Sequence, residues 1–295
     1  MIGQPLAFSA TRNSVGIALI TFGYLLASAS DSAVKWVSGG YPVSEIVFFS
    51  AMFSLVPFAV AVVAGGGIGV LTTRRLKLHM LRGALSLCST FSGYYALGHM
   101  ALADFYAVVF TAPLFITSLS VPINGERVDL SRWLAVVAGF VGVLIMVRPG
   151  GDVAGLGALG ALGAAFFYAL AVLVARRMGD TESGASFGFY GNLVLLAGAG
   201  SIMLSEFVSP PPLDLLALAL AGIGMGAFLL LLFAACRRTP ASVLAPFQYT
   251  QIIWGVLIGF LVFGERPEVT VAVGGVLVVG SGLFILYRET CTVSR

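Results

Sequence analysis

Apolar residues run through this chain in blocks of about 20, separated by short polar or charged stretches. Ten blocks stand out, at about 15–37, 42–64, 79–98, 102–122, 132–148, 154–175, 184–205, 213–235, 240–263 and 268–287. A helix of about 20 apolar residues crosses the ~30 Å hydrocarbon core of a bilayer, so the pattern predicts ten membrane-crossing helices. The fold class is therefore an all-α polytopic membrane protein. Residues 1–13 form a polar leader, and 289–295 form a tail. The first apolar run is too long for the core of a signal peptide and has no small-residue cleavage site, so it is expected to remain as the first helix.

Composition agrees with that pattern. Of 295 residues, 59% are hydrophobic and 10% charged, whereas a soluble domain carries roughly a quarter charged residues. The 37 glycines suit helices that approach closely in lipid. Cys88, Cys236 and Cys291 are odd in number and lack paired spacing, so they read as free thiols. No His, Cys and acid cluster has metal-ligand spacing, and no cofactor is expected. There is no nucleophile elbow, no His-x-x-x-His and no paired carboxylates, which argues against an enzyme. The lack of a nucleotide-binding segment excludes an ATP-driven pump for this chain alone, and nothing points to nucleic acid.

Charge placement predicts orientation. With the N-terminus in the cytoplasm, that side collects Arg12, Arg74, Arg75, Lys77, Arg82, Arg127, Arg132, Arg176, Arg177, Arg237, Arg238, Arg288 and Arg295. The opposite side receives only Lys35, Arg148 and Arg266. Losing one helix would scramble this sorting. Ten helices with both termini cytoplasmic, in a bacterial inner membrane, is the expectation.

A tripeptide occurs twice, as Gly125-Glu126-Arg127 and Gly264-Glu265-Arg266, each time closing an apolar block. Laid over each other, Thr111–Arg127 and Thr250–Arg266 share the threonine and the tripeptide, and pair Phe115 with Trp254, Leu114 with Ile253 and Ile123 with Val262. The chain then divides into repeats at 14–149 and 150–288, each of five helices. Five is odd, so the second copy enters the membrane upside down. Inverted repeats of this kind recur in secondary transporters, whose substrate site lies near the midplane between the copies.

The stretch from Ala96 to Pro149 and the stretch APFQYTQIIWGVLIGFLVFGERP (Ala245–Pro267) resemble the EamA repeats of the drug/metabolite transporter superfamily, and Asp31–Trp36 (DSAVKW) resembles that family's first helix. The likeness covers about residues 14–288. It implies ten helices around a central cavity, working by alternating access on amino acids, S-adenosylmethionine-like metabolites, vitamins such as riboflavin, metallophores or drugs. Many similar members have arginine where this chain has Ser50, so any charge pairing made by that arginine is absent here.

The candidate chemistry lies in the polar residues inside apolar blocks. Asp31 is an acid at membrane depth and a candidate for proton coupling; the alternative is an i, i+4 pair with Lys35, whose charge also suits a helix C-terminus. Glu45 reads as a solvated first-turn acid. Asp104 reads as a cap or first-turn residue. Glu126, Arg127, Glu265 and Arg266 read as hairpin-locking groups that hydrogen-bond neighbouring helix ends. Pro113 and Pro246 are expected inside the fourth and ninth helices, each removing a backbone bond where a cavity tolerates it. Gln248, Tyr249, Gln251 and Trp254 form a polar and aromatic stretch that lipid would penalise, so it should face inward. Phe91, Tyr94 and Tyr95, with one of the two tyrosines toward the cavity, and Tyr168 and Asn192 complete the cavity candidates. His99 reads as a cap or interface residue. The expected substrate is a small neutral or zwitterionic metabolite, amino-acid-like or carrying a planar ring. A vitamin or metallophore of the same fold is the alternative, and a non-transporting receptor or subunit is the reading from a different class. The protein is expected as monomer or homodimer.

Overall fold

The computed structural model describes residues 10–65, 67–125, 129–147, 154–178, 182–266 and 269–293. Apart from short connections these residues are helical, with no strand among them. The helices are α1 (Ala10–Val37), α2 (Val43–Ala64), α3 (Leu76–His99), α4 (Leu102–Val109), α5 (Ala112–Asn124), α6 (Leu130–Val147), α7 (Ala154–Met178), α8 (Gly184–Met203), α9 (Pro212–Cys236), α10 (Ala241–Leu244), α11 (Thr250–Phe263) and α12 (Val269–Val293), with 3-10 turns at Ile68–Leu71 and Ala245–Tyr249. Seven described segments are long and apolar enough to cross a membrane, and α6 and α12 add shorter apolar stretches at Leu130–Ile145 and Ala272–Ile285. The tenth, α3, is 24 residues long and too polar to qualify on hydropathy. Its polar side chains are used in packing: Ser89 donates to the Ala164 carbonyl of α7 at 2.8 Å.

Contacts between helices obey an exchange of the two halves. α1 packs along α9, and its counterpart α7 packs along α3. α2 against α9 is matched by α8 against α3, and α11 against α1 by α5 against α7. α2 with α8 and α6 with α12 are self-matched pairs. Phe110 and Tyr249, which occupy equivalent places, touch with ring centroids 5.0 Å apart, so the pseudo-twofold axis passes between them. This is the arrangement of two inverted five-span repeats.

Loop contacts test the span count independently, because loops can meet only on the same face. On one face Tyr41 donates to Asp214 at 2.6 Å, and the Glu45 carboxylate accepts from Val208 N at 2.9 Å. On the other, arginine-rich face His79 meets Glu182 at 3.0 Å and Tyr190 donates to the Leu71 carbonyl at 3.0 Å. Each pairing requires an even number of crossings between the segments it joins, as the order of helices from α2 to α8 provides. Glu45 is completely buried, not solvated as the sequence suggests, because the backbone N–H of the α8–α9 connection needs an acceptor there.

The fourth and ninth spans are both broken, at equivalent threonines. α4 ends and α5 begins around Thr111, and the 3-10 turn Ala245–Tyr249 gives way to α11 at Thr250. The prolines therefore do not interrupt helices as expected. Pro113 sits in the first turn of α5 and Pro246 opens the 3-10 turn, places where a missing N–H costs little. Both broken spans end on a left-handed glycine, Gly125 at φ 70° and Gly264 at φ 67°, a conformation that closes a helix and favours glycine.

Candidate functional site

One stripe of α1 organises the interior. Tyr24, Ser28, Asp31 and Lys35 lie at i, i+4, i+7 and i+11, which places them on one face of the helix over ~16 Å. Asp31 is 8% exposed and accepts a hydrogen bond from the Tyr106 hydroxyl of α4 at 2.8 Å. Among the described residues no cation pairs with it. Tyr94 of α3 lies within interaction distance of both Asp31 and Ser50 of α2, and Ser28 lies beside Tyr106. The Ser28 and Ser50 hydroxyls are buried without a partner at hydrogen-bond distance. Buried polar atoms are nearly always paired, so such a cluster marks a place where water or a ligand completes the bonding. Four helices of the first repeat thus converge on one acidic, hydroxyl-rich spot.

Tyr106 is held there by packing. Its ring is 2% exposed, tilts against Phe105 at 5.6 Å and stacks on Phe110 at 6.4 Å. It fills a notch in α11, where a Cβ on Gly255 would come within 2.6 Å of the ring. A larger residue at 255 would push the hydroxyl off Asp31.

Two turns toward the arginine-rich face stands a second group of polar and aromatic side chains. Tyr168, in the middle of α7, is 51% exposed, yet it is close enough to Tyr24 of α1 to interact electrostatically, as are Cys236 and Tyr249. α1 and α7 share no substantial packing. The hydroxyl of Tyr249 and the indole nitrogen of Trp254 are buried without partners. Gln248 and Gln251 are half-buried, and Gln248 approaches Tyr249.

The remaining candidates fall elsewhere. Of the tyrosine pair, Tyr94 faces Asp31, while Tyr95 stacks on His99 at 4.1 Å in the α3–α7 interface. Asn192 is also spent on packing, donating to the Ser54 hydroxyl at 3.3 Å and the Gly188 carbonyl at 2.9 Å. Phe91 and Pro113 are half-buried. Asp104 stands in the first turn of α4, Arg266 is exposed after α11, and Glu126 and Arg127 lie outside the described residues. An apolar groove of about 410 Å³ between α6 and α12, lined by Leu134, Ala138, Val276 and Phe284 among others, contains none of these residues.

Lys35 does not pair with Asp31 one turn before it. Its ammonium meets the Glu265 carboxylate at 2.9 Å and donates to the Leu97 carbonyl at 3.2 Å and to the Met100 carbonyl. These are the free carbonyls at the end of α3, where a cation is favoured. Glu265 in turn accepts from Leu102 N, the first residue of α4, at 2.9 Å.

Ten inverted spans around a buried acid suit a carrier, and residues 155–287 match the EamA-like transporter family. The match spans α7 to α12. The chain is a multi-pass membrane transporter and not an enzyme. Relatives extend over nearly its whole length. It is 27% identical over 285 residues to an S-adenosylmethionine uptake transporter of Rickettsia bellii, covering 96% of this chain and 97% of the relative. A riboflavin transporter of Vibrio cholerae is 29% identical over 252 residues, with 82% and 84% covered. A pseudopaline exporter of Pseudomonas aeruginosa is 28% identical over 269 residues, with 90% and 93% covered. A crystal structure matches the fold with a TM-score of 0.66 at 20% identity over 94% of this chain and 98% of the other.

The sequence alone does not single out Tyr106, His79 or Glu182. Tyr106 is visible only as a lone hydroxyl in an apolar block, two residues after Asp104.

Proposed function

We propose that this transporter moves a zwitterionic metabolite that carries a cationic group and a planar ring, of the S-adenosylmethionine type, by alternating access across a bacterial inner membrane. Asp31, with Tyr94 and Tyr106 beside it, carries the reading. A carboxylate in a low-dielectric site suits an ammonium or sulfonium, and tyrosine faces favour both cations and rings. The unpartnered hydroxyls of Ser28 and Ser50 suit the polar edge of such a substrate, and Tyr24, Tyr168, Gln248, Gln251 and Trp254 line the approach. Several relatives named for S-adenosylmethionine uptake support this class. Riboflavin is the second reading, favoured by relatives of comparable identity. The repeats divide at 14–149 and 150–288, and both termini face the cytoplasm with the arginine-rich loops. Asp31 exchanges a proton for substrate, with the Tyr106 hydroxyl holding whichever form of the carboxyl is empty.

Counterflow in proteoliposomes tests this directly. Vesicles loaded with S-adenosylmethionine accumulate the labelled compound, and riboflavin competes weakly. Exchange of riboflavin without S-adenosylmethionine exchange favours the second reading, and exchange of neither in well-folded protein sinks both.

A further inference from the structure

We infer that Lys35 and Glu265 form the latch that closes one face of the transporter, directly above Asp31. This rests on alternating access as read above, but not on the identity of the substrate. The pair joins four helix ends. Lys35 comes from the end of α1 and binds the end of α3, while Glu265 follows the end of α11 and binds the start of α4. Three of these ends belong to the first repeat and one to the second, so Glu265 ties the repeats together on this face, beside the Tyr41–Asp214 and Glu45–Val208 bonds. The side chains are 13% and 19% exposed, and the Phe263 ring lies 5.6 Å from the ammonium.

Local backbone aims the carboxylate. The left-handed Gly264 turns the chain, and Glu265 N donates to the Gly259 carbonyl at 2.9 Å. A Cβ on Gly259 would come within 2.8 Å of the Glu265 carboxylate oxygen, so the helix surface is pared down where the acid folds back. Lys35 stands one helical turn beyond Asp31 on the same stripe of α1, so a solute entering from this face has to part the pair to reach the acid.

The geometry also assigns which partner moves. Lys35 keeps two carbonyl acceptors within its own repeat when the pair separates, whereas Glu265 loses both its cation and its N–H donor. Glu265 is therefore the part that swings away. Each charge also matches a helix end, the cation at the C-terminus of α3 and the anion at the N-terminus of α4. Exchanging the two charges places each against the wrong dipole.

The test uses a chain with Cys88, Cys236 and Cys291 replaced by serine and a probe cysteine at Ser50, labelled in proteoliposomes by a membrane-impermeant maleimide. Glu265→Gln and Lys35→Met are each expected to raise labelling from the latch face by about tenfold, the factor given by ~1.4 kcal/mol of lost closing energy. Labelling from the arginine-rich face is expected to fall. The Lys35→Glu, Glu265→Lys exchange is expected to stay as open as the single variants. Unchanged labelling in both single variants, in protein that is monodisperse by size exclusion, overturns the latch. Should Glu265→Gln fail to fold, Glu265→Asp, with a shorter reach, reports the same shift and its absence overturns the inference equally. No substrate enters this measurement, so a failed counterflow assay leaves it standing, and a failed labelling assay leaves the substrate reading intact.

Discussion

The two repeats share a skeleton and differ in chemistry. Gly83 of α3 faces Val194 of α8 as Gly222 of α9 faces Phe53 of α2, and Gly16 of α1 meets the end of α9 as Gly157 of α7 meets the end of α3. These contacts fix the register between the copies. On that register Ser28, Asp31, Ser50, Tyr94 and Tyr106 of the first repeat correspond to Ala169, Val172, Gly191, Phe233 and Ala245 of the second. Every polar group of the acidic cluster has an apolar counterpart. The second repeat instead places its polarity in the broken span, at Gln248, Gln251 and Trp254, opposite Val109, Ala112 and Phe115. On the reading proposed above, duplication supplies a symmetric frame that works from either side, and a substrate without that symmetry would meet an acid on one wall and amides on the other.

Breaking that comparison begins with the acid. Asp31→Ala is expected to lower counterflow by at least about tenfold, equivalent to ~1.4 kcal/mol or more of lost interaction. Adding Val172→Asp is expected not to restore it, because α7 offers no Tyr106 or Ser28 equivalent beside that position. Recovery of flux in the double variant would show that the repeats are chemically interchangeable. Next in size, Gly255→Ala should destabilise the protein by about 1–3 kcal/mol, the usual cost of overpacking, since Tyr106 cannot retreat from a new methyl group. A thermal-shift assay in detergent reads this, and an unchanged midpoint would mean the notch is looser than described. Tyr106→Phe keeps the packing and removes one hydrogen bond, worth about 0.5–1.5 kcal/mol net, so apparent substrate affinity should weaken roughly 2- to 12-fold with little change in thermal stability.

The smallest effect belongs to the arginine-rich face. His79, with Thr73 and Arg75 nearby, holds the Glu182 carboxyl below its ordinary value, the hydrogen bond from His79 being the main cause. A depressed acid adds stability above its unfolded value of 4.5, and that contribution is lost as pH falls through the folded value. Thermal midpoints should therefore drop on acidification below about that point, and Glu182→Gln should flatten the drop. An identical pH profile in the variant would remove Glu182 from the account.

Sequence periodicity and charge carry the frame well. Block lengths and the sorting of arginines are local or additive signals, so ten spans, their pairing into inverted halves and the closing glycines 125 and 264 are readable without a structure. The site is less readable because its partners are distant in sequence. Lys35 looks like a companion of Asp31 four residues away, and only the fold brings it Glu265. Asn192 and Tyr95 look like cavity residues because composition reveals polarity but not which neighbour uses it. Pro113 looks like a helix breaker, whereas the break two residues earlier absorbs it. Glu45 and His79 lie near segment ends, where solvent is the default expectation, and burial there depends on loops that leave no periodic trace.

Counterflow of S-adenosylmethionine across a range of pH, compared between the parent chain and Asp31→Asn, tests the one-sided acidic site most directly. The account predicts a pH-dependent rate in the parent and a slow, pH-independent rate in the variant. Equal rates with the same pH dependence in both proteins would contradict it.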